Sequence, residues 1–296
     1  MIEKRFLGKT DLCLTALGYG AMELRETRTH ENADKILNTV LDCGINFIDT
    51  SQDYRMSETL IGKHIAHRRS EYVLATKCAC NLSGEGPAHI FTREQFTKNL
   101  EDSLIKLKTD HIDLWQMHCV TPPDLPGGAL DDAVRAMQDF KAQGKVGAIG
   151  ISFKNGSEKD PFYPTEHQVQ YAKEMASWGV FDSIQMVYGG LTRVSEADIE
   201  HIAALGMGVI ARGILKRYFA NYDRRAQDAR LYELFDEGED LNAFLLRFAL
   251  AQKGISTMIV GSGNPDHIAK NARIAEKGPL TPEIFKEAKV RLAKSL

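Results

Sequence analysis

The chain lacks the features that mark membrane, secreted or nucleic-acid-binding proteins. No run of about 18 apolar residues occurs, so no membrane-spanning segment is predicted. The opening residues, MIEKRFLGKT, lack the apolar core of a signal peptide. Charge of one sign is also scarce, because 37 Lys and Arg nearly balance 40 Asp and Glu and leave a net charge of −3. We therefore expect neither a nucleic acid nor a membrane surface among its partners.

Cysteine is too scarce and too irregularly spaced for a disulfide framework. The chain has 5 cysteines, an odd number, and Cys78 and Cys80 do not have the spacing of a C-x-x-C redox motif. Free thiols are typical of a reducing compartment, so we expect a cytoplasmic protein. The sequence leaves open whether Cys78, Cys80 or Cys119 is redox-active, and it leaves the oligomeric state open as well.

What the chain does contain is a regular alternation of short apolar runs and amphipathic segments of helical period. The runs that have the length and composition of strands are Leu14–Tyr19, Asn46–Asp49, Tyr72–Lys77, Ile112–His118, Val146–Ser152, Ser183–Val187, Gly208–Ala211 and Thr257–Val260. The helical segments are Asn32–Cys43, Glu58–Ala66, Glu94–Leu107, Leu130–Ala142, Glu166–Ser177, Glu196–Ala204, Leu241–Gln252 and Asp266–Ala275. Strands that alternate with helices predict βα units and a parallel sheet.

This repetition predicts an α/β protein, a closed (β/α)8 or TIM barrel that forms one domain over residues 1–296. The segment Arg5–Leu14 has short apolar runs around Gly-Lys-Thr-Asp, which predicts an N-terminal β-hairpin. Pro282–Lys294 predicts one extra C-terminal helix. The connection Arg212–Asp240 is long and polar, a combination that often marks a lid or a binding loop.

Three consecutive predicted strands end in polar side chains. Asp49 ends the second strand, Lys77 the third and His118 the fourth, and Tyr54 follows in the loop after Asp49. Enzymes of this fold have their active sites at the C-terminal ends of the strands. Strand alternation places each of these residues at the end of a mostly apolar, inward-facing row. The four residues therefore predict an active site at the mouth of the barrel.

Each of the four has an ordinary structural explanation when it is taken alone. Asp49 suits a turn, Lys77 a solvated loop and His118 a hydrogen-bonded strand end, while Tyr54 suits surface packing. Together they are hard to explain by stability, because buried charges are costly unless they are paired. The chemistry that suits the set is proton transfer to a carbonyl oxygen from a tyrosine whose phenolate is stabilised by a neighbouring ammonium.

The same residues belong to a series of motifs that resembles the aldo-keto reductase family. The motifs are GINFIDT at Gly44–Thr50 with Tyr54 and Ser57-Glu58, ATK at Ala75–Lys77, DLWQMH at Asp113–His118, GKVGAIGIS at Gly144–Ser152, Gln185 with Tyr188, and Gly261-Ser262 with Asn271. They follow the family's order over nearly the whole chain, and their combination is far more specific than any single motif.

The resemblance implies a reductase that uses NADP(H), with NAD(H) as the alternative coenzyme, to reduce an aldehyde or ketone. The partner would then be a small-molecule carbonyl substrate. The resemblance also implies that Tyr54 is the proton donor and that Asp49, Lys77 and His118 complete a catalytic tetrad. The implied coenzyme-binding residues are Gly20, Ala21, Met22, Asp49, Ser152, Gln185, Arg212, Gly261, Ser262, Gly263, His267 and Asn271. We expect no metal at this site.

A few positions depart from the family's pattern and bear on the coenzyme. Phe153 stands where the family often has Asn, and Arg212 where it often has an aromatic that stacks on the nicotinamide. Gly263 and His267 stand where the family commonly has Arg or Lys to hold the 2′-phosphate of NADP. Lys270 and Arg273 lie farther along the same helix and would reach the phosphate only partly. We therefore expect only a modest preference for NADPH over NADH.

Other functions remain open on the sequence alone. Lys77 would suit a Schiff-base barrel aldolase if its pKa were depressed, although a nearby Asp49 would work against that. A coenzyme-binding regulatory or redox-sensing subunit with little turnover would accommodate the altered Phe153 and Arg212. A metal-dependent hydrolase is disfavoured, because the predicted strands have no H-x-H motif.

The sequence does not identify the physiological substrate, because specificity in this fold lies in the loops around the mouth. Apolar and aromatic side chains in those loops are candidates for the lining of a substrate pocket. The candidates are Leu82, Phe153, Tyr188 and Tyr218.

Overall fold

The structure, a computed structural model, describes residues 1–120, 129–153, 166–193, 195–215 and 222–294. A short antiparallel hairpin, β1 (Lys4–Phe6) and β2 (Cys13–Thr15), precedes a closed barrel of parallel strands. The barrel strands are β3 (Leu17–Gly20), β4 (Phe47–Asp49), β5 (Val73–Cys78), β6 (Ile112–Val120), β7 (Val146–Phe153), β8 (Ser183–Val187), β9 (Gly208–Arg212) and β10 (Ile255–Val260). They neighbour one another in chain order, and β10 closes the barrel against β3.

Helices connect the strands and surround the barrel, which confirms the predicted (β/α)8 fold. They are α1 (Ala33–Asp42), α2 (Ser57–His64), α3 (Arg93–Leu107), α4 (Ala129–Ala142), α5 (Glu166–Ser177), α6 (Glu196–Ala204), α7 (Tyr222–Asp228), α8 (Leu241–Ala251), α9 (Pro265–Lys277) and α10 (Pro282–Lys294). The last of these is the predicted extra helix. Within the described ranges, no helix is both long enough and apolar enough to cross a bilayer.

Side-chain alternation along the strands separates the barrel interior from the layer beneath the helices. The interior cluster includes one residue from each of several strands: Phe47, Ala75, Leu114, Ala148 and Ile210. Leu7 and Leu14, from the hairpin segment, are fully buried in the same cluster. The backbone N–H of Lys9 donates to the carbonyl of Gly206, 3.0 Å away and just ahead of β9. The hairpin therefore closes the N-terminal end of the barrel.

The outward-facing residues of the same strands pack against the helices. Trp115, next to Leu114 on β6, has its ring centroid 5.7 Å from that of Phe96 on α3, in an edge-on contact. It makes a second edge-on contact at 5.7 Å with Phe140 on α4. Leu114 and Trp115, which are adjacent on β6, therefore face opposite sides of the barrel wall, as strand alternation requires.

The first predicted strand is wrong in its boundaries. Leu14–Tyr19 is divided between β2 and β3, which are interrupted at Ala16. The N–H of Ala16 donates to the carbonyl of Glu3 at 2.8 Å, and the Thr15 hydroxyl donates to the carbonyl of Leu17 at 2.8 Å. These local bonds turn the chain from the hairpin into the barrel. The apolar run is continuous in sequence because both strands bury their side chains.

The connection between β9 and α8, which the sequence suggested to be a long polar loop, contains regular secondary structure. It contains α7 and a short 3₁₀ helix at Leu231–Leu234, and Ala226 and Leu231 are buried. Arg247 of α8 pairs with Asp236 and, at 2.9 Å, with Glu239. The end of this connection is thus tied to the barrel helices. Residues 216–221, which include Tyr218, lie outside the described residues.

Truncation of a buried side chain in the hairpin that closes the barrel should destabilise the fold. Leu7→Ala removes a fully buried side chain and leaves a cavity, so it should cost about 2–5 kcal/mol of unfolding free energy. Phe6→Ala is the matched control, because Phe6 is the adjacent hairpin residue and is 63% exposed. Denaturant unfolding measures both variants. A loss for Leu7→Ala no larger than that for Phe6→Ala would contradict the closing role of the hairpin.

Candidate active site

Parallel pairing brings the predicted site residues to one end of the barrel. Asp49 lies opposite Gly20 in the β3–β4 pair, and Lys77 lies opposite Gln116 in the β5–β6 pair. His118 lies opposite Ser152 in the β6–β7 pair. Each position is at or close to the C-terminal end of its strand. The side chains that follow these ends therefore share the mouth of the barrel.

The centre of the mouth is a buried ion pair. The Nζ of Lys77 lies 2.7 Å from the Oδ2 of Asp49, and the two residues are 0% and 1% exposed. The same ammonium donates to the carbonyl of Thr50 at 2.8 Å. The other carboxylate oxygen, Oδ1, accepts from the amides of Gln116 at 3.1 Å and Gln185 at 2.9 Å. Both charges are therefore compensated, which buried charges require.

The ion pair determines the protonation state of Lys77. Burial alone would lower the pKa of its ammonium, but the charge of Asp49, the neighbouring Tyr54 and the hydrogen bond to Asp49 together outweigh this effect and leave the pKa above its ordinary value. Lys77 is therefore a fixed positive charge at neutral pH rather than a free amine.

Tyr54 lies next to this charge. It ends a 3₁₀ turn (Gln52–Tyr54) that follows β4, and the buried amide of Gln52 anchors the turn by donating to the carbonyl of Asn99 at 2.7 Å. The Lys77 ammonium lies 5.5 Å from the centroid of the Tyr54 ring. The ring lines a cavity of about 220 Å³ together with Asp49 and Arg212. Tyr54 therefore lies near the buried Lys77 ammonium and also lines the cavity.

His118 also lies near Tyr54, with ring centroids 6.2 Å apart. Its Nδ1 is 2.9 Å from the Oδ2 of Asp53 and 3.2 Å from the hydroxyl of Ser51. The same Asp53 oxygen lies 3.0 Å from the Nε2 of His89, so two imidazoles share one carboxylate. Sequence reasoning missed Asp53 and His89. Asp53 directly precedes Tyr54, which was a usable signal, whereas nothing in the sequence relates His89 to His118.

Charge accumulates around these imidazoles. Burial would lower the pKa of His118 and of His89, but hydrogen bonds to Asp53 and to nearby thiols outweigh it. The pKa of His118 is raised well above its ordinary value, and that of His89 to about 11. Burial would raise the pKa of Asp53, yet the two imidazoles hold it far below its usual range. Both histidines are therefore cationic in this arrangement.

The mouth cysteines differ in reactivity. Burial opposes ionisation of Cys119, but His118 and His89 lower the pKa of its thiol to about 5. The same imidazoles lower the pKa of the buried Cys80 thiol. Burial raises the pKa of Cys78 well above its ordinary value. All three thiols are free, and thiolate chemistry is therefore favoured at Cys80 and Cys119 rather than at Cys78.

The residues expected to bind coenzyme fall into three groups. Gly20, Met22, Arg212 and Gly261 line the same 220 Å³ cavity as Tyr54. A neighbouring cavity of about 450 Å³ lies at the start of α9. It is lined by Glu23, Arg28, Thr29, Gly261, Ser262, Gly263, Asn264 and His267. Sequence reasoning missed Arg28, which is exposed and has no hydrogen-bond or ion-pair partner among the described residues.

The other expected coenzyme residues lie outside both cavities. Ser152 and Gln185 are buried, and the Ser152 hydroxyl donates to the Oε1 of Gln185 at 3.0 Å. Ala21 is buried, and its carbonyl accepts from the hydroxyl of Ser57 at 3.0 Å. Asn271 is half-buried on α9.

Lys270 is directed away from the phosphate position expected for it. Its ammonium forms an ion pair with Asp240, which joins α9 to the start of α8. In this structure, the Lys270 side chain is therefore engaged by Asp240 rather than by a group at the start of α9.

Arg212 occupies the position where an aromatic was expected. Its guanidinium donates to the carbonyl of Phe153, while its Nε is buried with no hydrogen-bond partner among the described residues. A buried donor without a partner is costly, which favours a polar ligand in the cavity that Arg212 lines.

The suggested pocket lining needs one correction. Tyr188 is fully buried, and its hydroxyl lies 3.2 Å from Glu196 and 3.2 Å from Gln252, so it packs toward the helices rather than into the mouth. Leu82 is 53% exposed and Phe153 is 5% exposed, and neither lines the 220 Å³ cavity.

The cavity at the start of α9 has features of a phosphate-binding site. A Cβ on Gly261 would lie 2.6 Å from the carbonyl oxygen of Gly20, so glycine there lets β3 and β10 approach closely. Beyond it, α9 begins with Asn264 as the cap and Pro265 in its first turn. A helix N-terminus with an adjacent arginine is a natural site for phosphate. A larger cavity of about 740 Å³ lies near Arg5 and Gly254, at the closed end of the barrel, and neither Tyr54 nor Lys77 lines it.

Comparisons with known proteins agree with this geometry. A model of the Aldo/keto reductase family matches residues 16–290. An L-galactose dehydrogenase from Arabidopsis thaliana is 29% identical over 289 residues, covering 91% of this chain and 87% of the relative. A 6-dehydroglucose reductase from Novosphingobium aromaticivorans is 33% identical over 162 residues, which is 50% of each chain.

The solved structures include a similar barrel. An aldo-keto reductase from Bacillus halodurans, in its holo form, superposes with a TM-score of 0.81 at 27% identity and covers 100% of this chain and 96% of that chain. The family match extends over nearly the whole barrel and includes every residue of the mouth described above. The chain belongs to the aldo-keto reductase family.

Proposed function

We propose that the protein is an NAD(P)H-dependent reductase that converts an aldehyde or ketone to an alcohol, reversibly, with Tyr54 as the proton donor. The observation that carries this proposal is the position of Tyr54, whose ring centroid lies 5.5 Å from the Lys77 ammonium and which lines the 220 Å³ cavity. Family membership supports oxidoreduction of carbonyls as the general chemistry.

In this proposal each polar side chain of the mouth has one task. Tyr54 donates a proton to the carbonyl oxygen and is reprotonated from solvent. Lys77 stabilises the phenolate that forms when the proton leaves, and Asp49 holds Lys77 charged and in position. His118, whose ring centroid lies 6.2 Å from that of Tyr54, orients the carbonyl oxygen. The bound nicotinamide supplies the hydride.

The same proposal assigns the coenzyme contacts. Ser152 and Gln185 offer a hydroxyl and an amide to the carboxamide, and both are already positioned by mutual hydrogen bonding. At Gly20 and Gly261 no side chain covers the backbone, which leaves room for an extended coenzyme. The start of α9, with Ser262 and Gly263, receives phosphate, and Arg28 supplies the positive charge.

The raised pKa of Lys77 weighs against the aldolase alternative. A Schiff base needs a neutral amine as the nucleophile, and the Asp49 carboxylate keeps this one protonated. The regulatory alternative is also disfavoured, because Asp49, Tyr54, Lys77 and His118 meet at one mouth beside a cavity.

The relatives named for L-galactose and 6-dehydroglucose point to a substrate class. We propose polyhydroxylated carbonyl compounds as the first substrates to screen. We also propose a cytoplasmic location and one domain over the whole chain.

Removal of the phenolic hydroxyl tests the proton donor. Tyr54→Phe keeps the ring but removes the acid, so carbonyl reduction should fall roughly 10²–10⁴-fold while coenzyme affinity stays near wild type. Steady-state turnover and coenzyme titration measure the two quantities. Tyr232→Phe, at a tyrosine that is 57% exposed, is the control and should keep full activity. Wild-type turnover in Tyr54→Phe would refute the assignment.

Replacement of the unpaired arginine tests the phosphate site. We expect a modest preference of the wild type for NADPH, and Arg28→Gln should lower the NADPH/NADH ratio of kcat/KM about tenfold, since a charge-assisted hydrogen bond is lost. Arg25→Gln is the control, because Arg25 pairs with Glu26 at 3.1 Å and does not line the cavity. An unchanged ratio in Arg28→Gln would place the phosphate elsewhere.

A further inference from the structure

His118 and three side chains around it are arranged as a set of metal ligands. One potential ligand atom from each of Asp53, Cys80, His89 and His118 lies within 4.8 Å of every other. We propose that these four residues form a Zn²⁺ site at the barrel mouth, where the sequence led us to expect no metal. The site does not depend on the proposed carbonyl reduction, because three of its four ligands have no task in that reaction.

The donor types select zinc over the commoner hard cations. Two imidazole nitrogens, one thiolate sulfur and one carboxylate oxygen form a mixed N, S and O set, which suits Zn²⁺. Mg²⁺ and Ca²⁺ prefer sets made of oxygen alone. Four protein ligands would also complete a tetrahedral coordination shell.

Three of the ligand-atom separations are near those of a tetrahedral shell. Zinc–ligand bonds of about 2.0–2.3 Å at tetrahedral angles place neighbouring ligand atoms roughly 3.3–3.8 Å apart. The Nδ1 of His118 lies 3.6 Å from the sulfur of Cys80 and 2.9 Å from the Oδ2 of Asp53. The same Asp53 oxygen lies 3.0 Å from the Nε2 of His89. The remaining pairs of ligand atoms lie within 4.8 Å. Asp53 would have to move outward by a few tenths of an ångström when the ion binds.

The backbone holds two of the ligands side by side. Cys80 and His89 face each other as an isolated antiparallel bridge. The N–H of Asn81 donates to the carbonyl of Ala88 at 2.9 Å, and that of Ile90 to the carbonyl of Ala79 at 2.8 Å. These bonds close the intervening loop independently of any side-chain contact in the cluster.

The other elements around the site are equally well anchored. The side chains of Gln95 and Asn99, on α3, donate to the carbonyl of Cys80 at 2.7 and 3.0 Å. Asp53 lies within the anchored 3₁₀ turn after β4, and His118 lies in β6. Ligands held on ordered backbone lose little conformational freedom when they bind a metal. On binding, Zn²⁺ would displace the proton of the Cys80 thiol and those of the imidazoles, which pass to the buffer.

Calorimetric titration of the metal-stripped, full-length protein with Zn²⁺ tests the site. We expect one ion bound per chain. Cys80→Ser and His89→Ala should each weaken binding by roughly a hundredfold or more, because each removes one ligand. Cys13→Ser and His111→Ala make the same changes outside the cluster and should bind Zn²⁺ like the wild type. Equal affinity in wild type, Cys80→Ser and His89→Ala would overturn the proposal.

Spectroscopy with Co²⁺ as the probe tests the wild type directly. A tetrahedral site with one thiolate should give intense visible d–d bands and a sulfur-to-cobalt charge-transfer band in the near ultraviolet. Cys119→Ser should keep the charge-transfer band, and Cys80→Ser should lose it. Weak octahedral bands in the wild type, or loss of the charge-transfer band only in Cys119→Ser, would contradict the assigned ligands.

Discussion

The buried ion pair of Lys77 and Asp49 is the interaction on which the mouth of the barrel depends. An ammonium taken out of water costs several kcal/mol unless its charge and its hydrogen-bond donors are compensated. Asp49 meets this need with one oxygen, and with the other it accepts from Gln116 and Gln185. Ser152 extends the network to a fifth strand through Gln185. Barrel closure brings these strands together. The buried charge of Lys77 is therefore compensated only when the barrel is formed.

A second polar cluster shares the mouth with this ion pair, and Tyr54 lies near both. In the proposed reduction the Lys77 ammonium, 5.5 Å from the centroid of the Tyr54 ring, would stabilise negative charge on the phenol oxygen. His118, whose ring is also near Tyr54, belongs to the carboxylate, thiol and imidazole cluster centred on Asp53. The proposed reduction uses one imidazole of that cluster, and the proposed zinc site uses all of it. The protonation or metal occupancy of the cluster therefore bears directly on how His118 meets a substrate.

The sequence predicts the parts of this site that follow from regular strand geometry. Asp49 and Lys77 end consecutive strands, so alternation and parallel pairing are enough to bring them together. His89 was not predictable, because its contact with Asp53 depends on how one irregular loop folds back over the mouth. The orientation of Tyr188 was predicted wrongly for a similar reason. Tyr188 follows the last residue of β8, where strand alternation no longer applies. The contacts and orientations of residues beyond the strand ends therefore could not be predicted from the sequence.

The central claim is that the Tyr54 and Lys77 arrangement supports hydride transfer from a nicotinamide to a carbonyl carbon. The most direct measurement is reduction of a reactive aldehyde with coenzyme deuterated at C4 of the nicotinamide, on each face in turn, followed by mass spectrometry of the product. The account predicts that one of the two labelled coenzymes delivers a single deuterium to the new carbinol carbon. An alcohol product free of deuterium with both labelled coenzymes, or no alcohol from any reactive aldehyde, would contradict it.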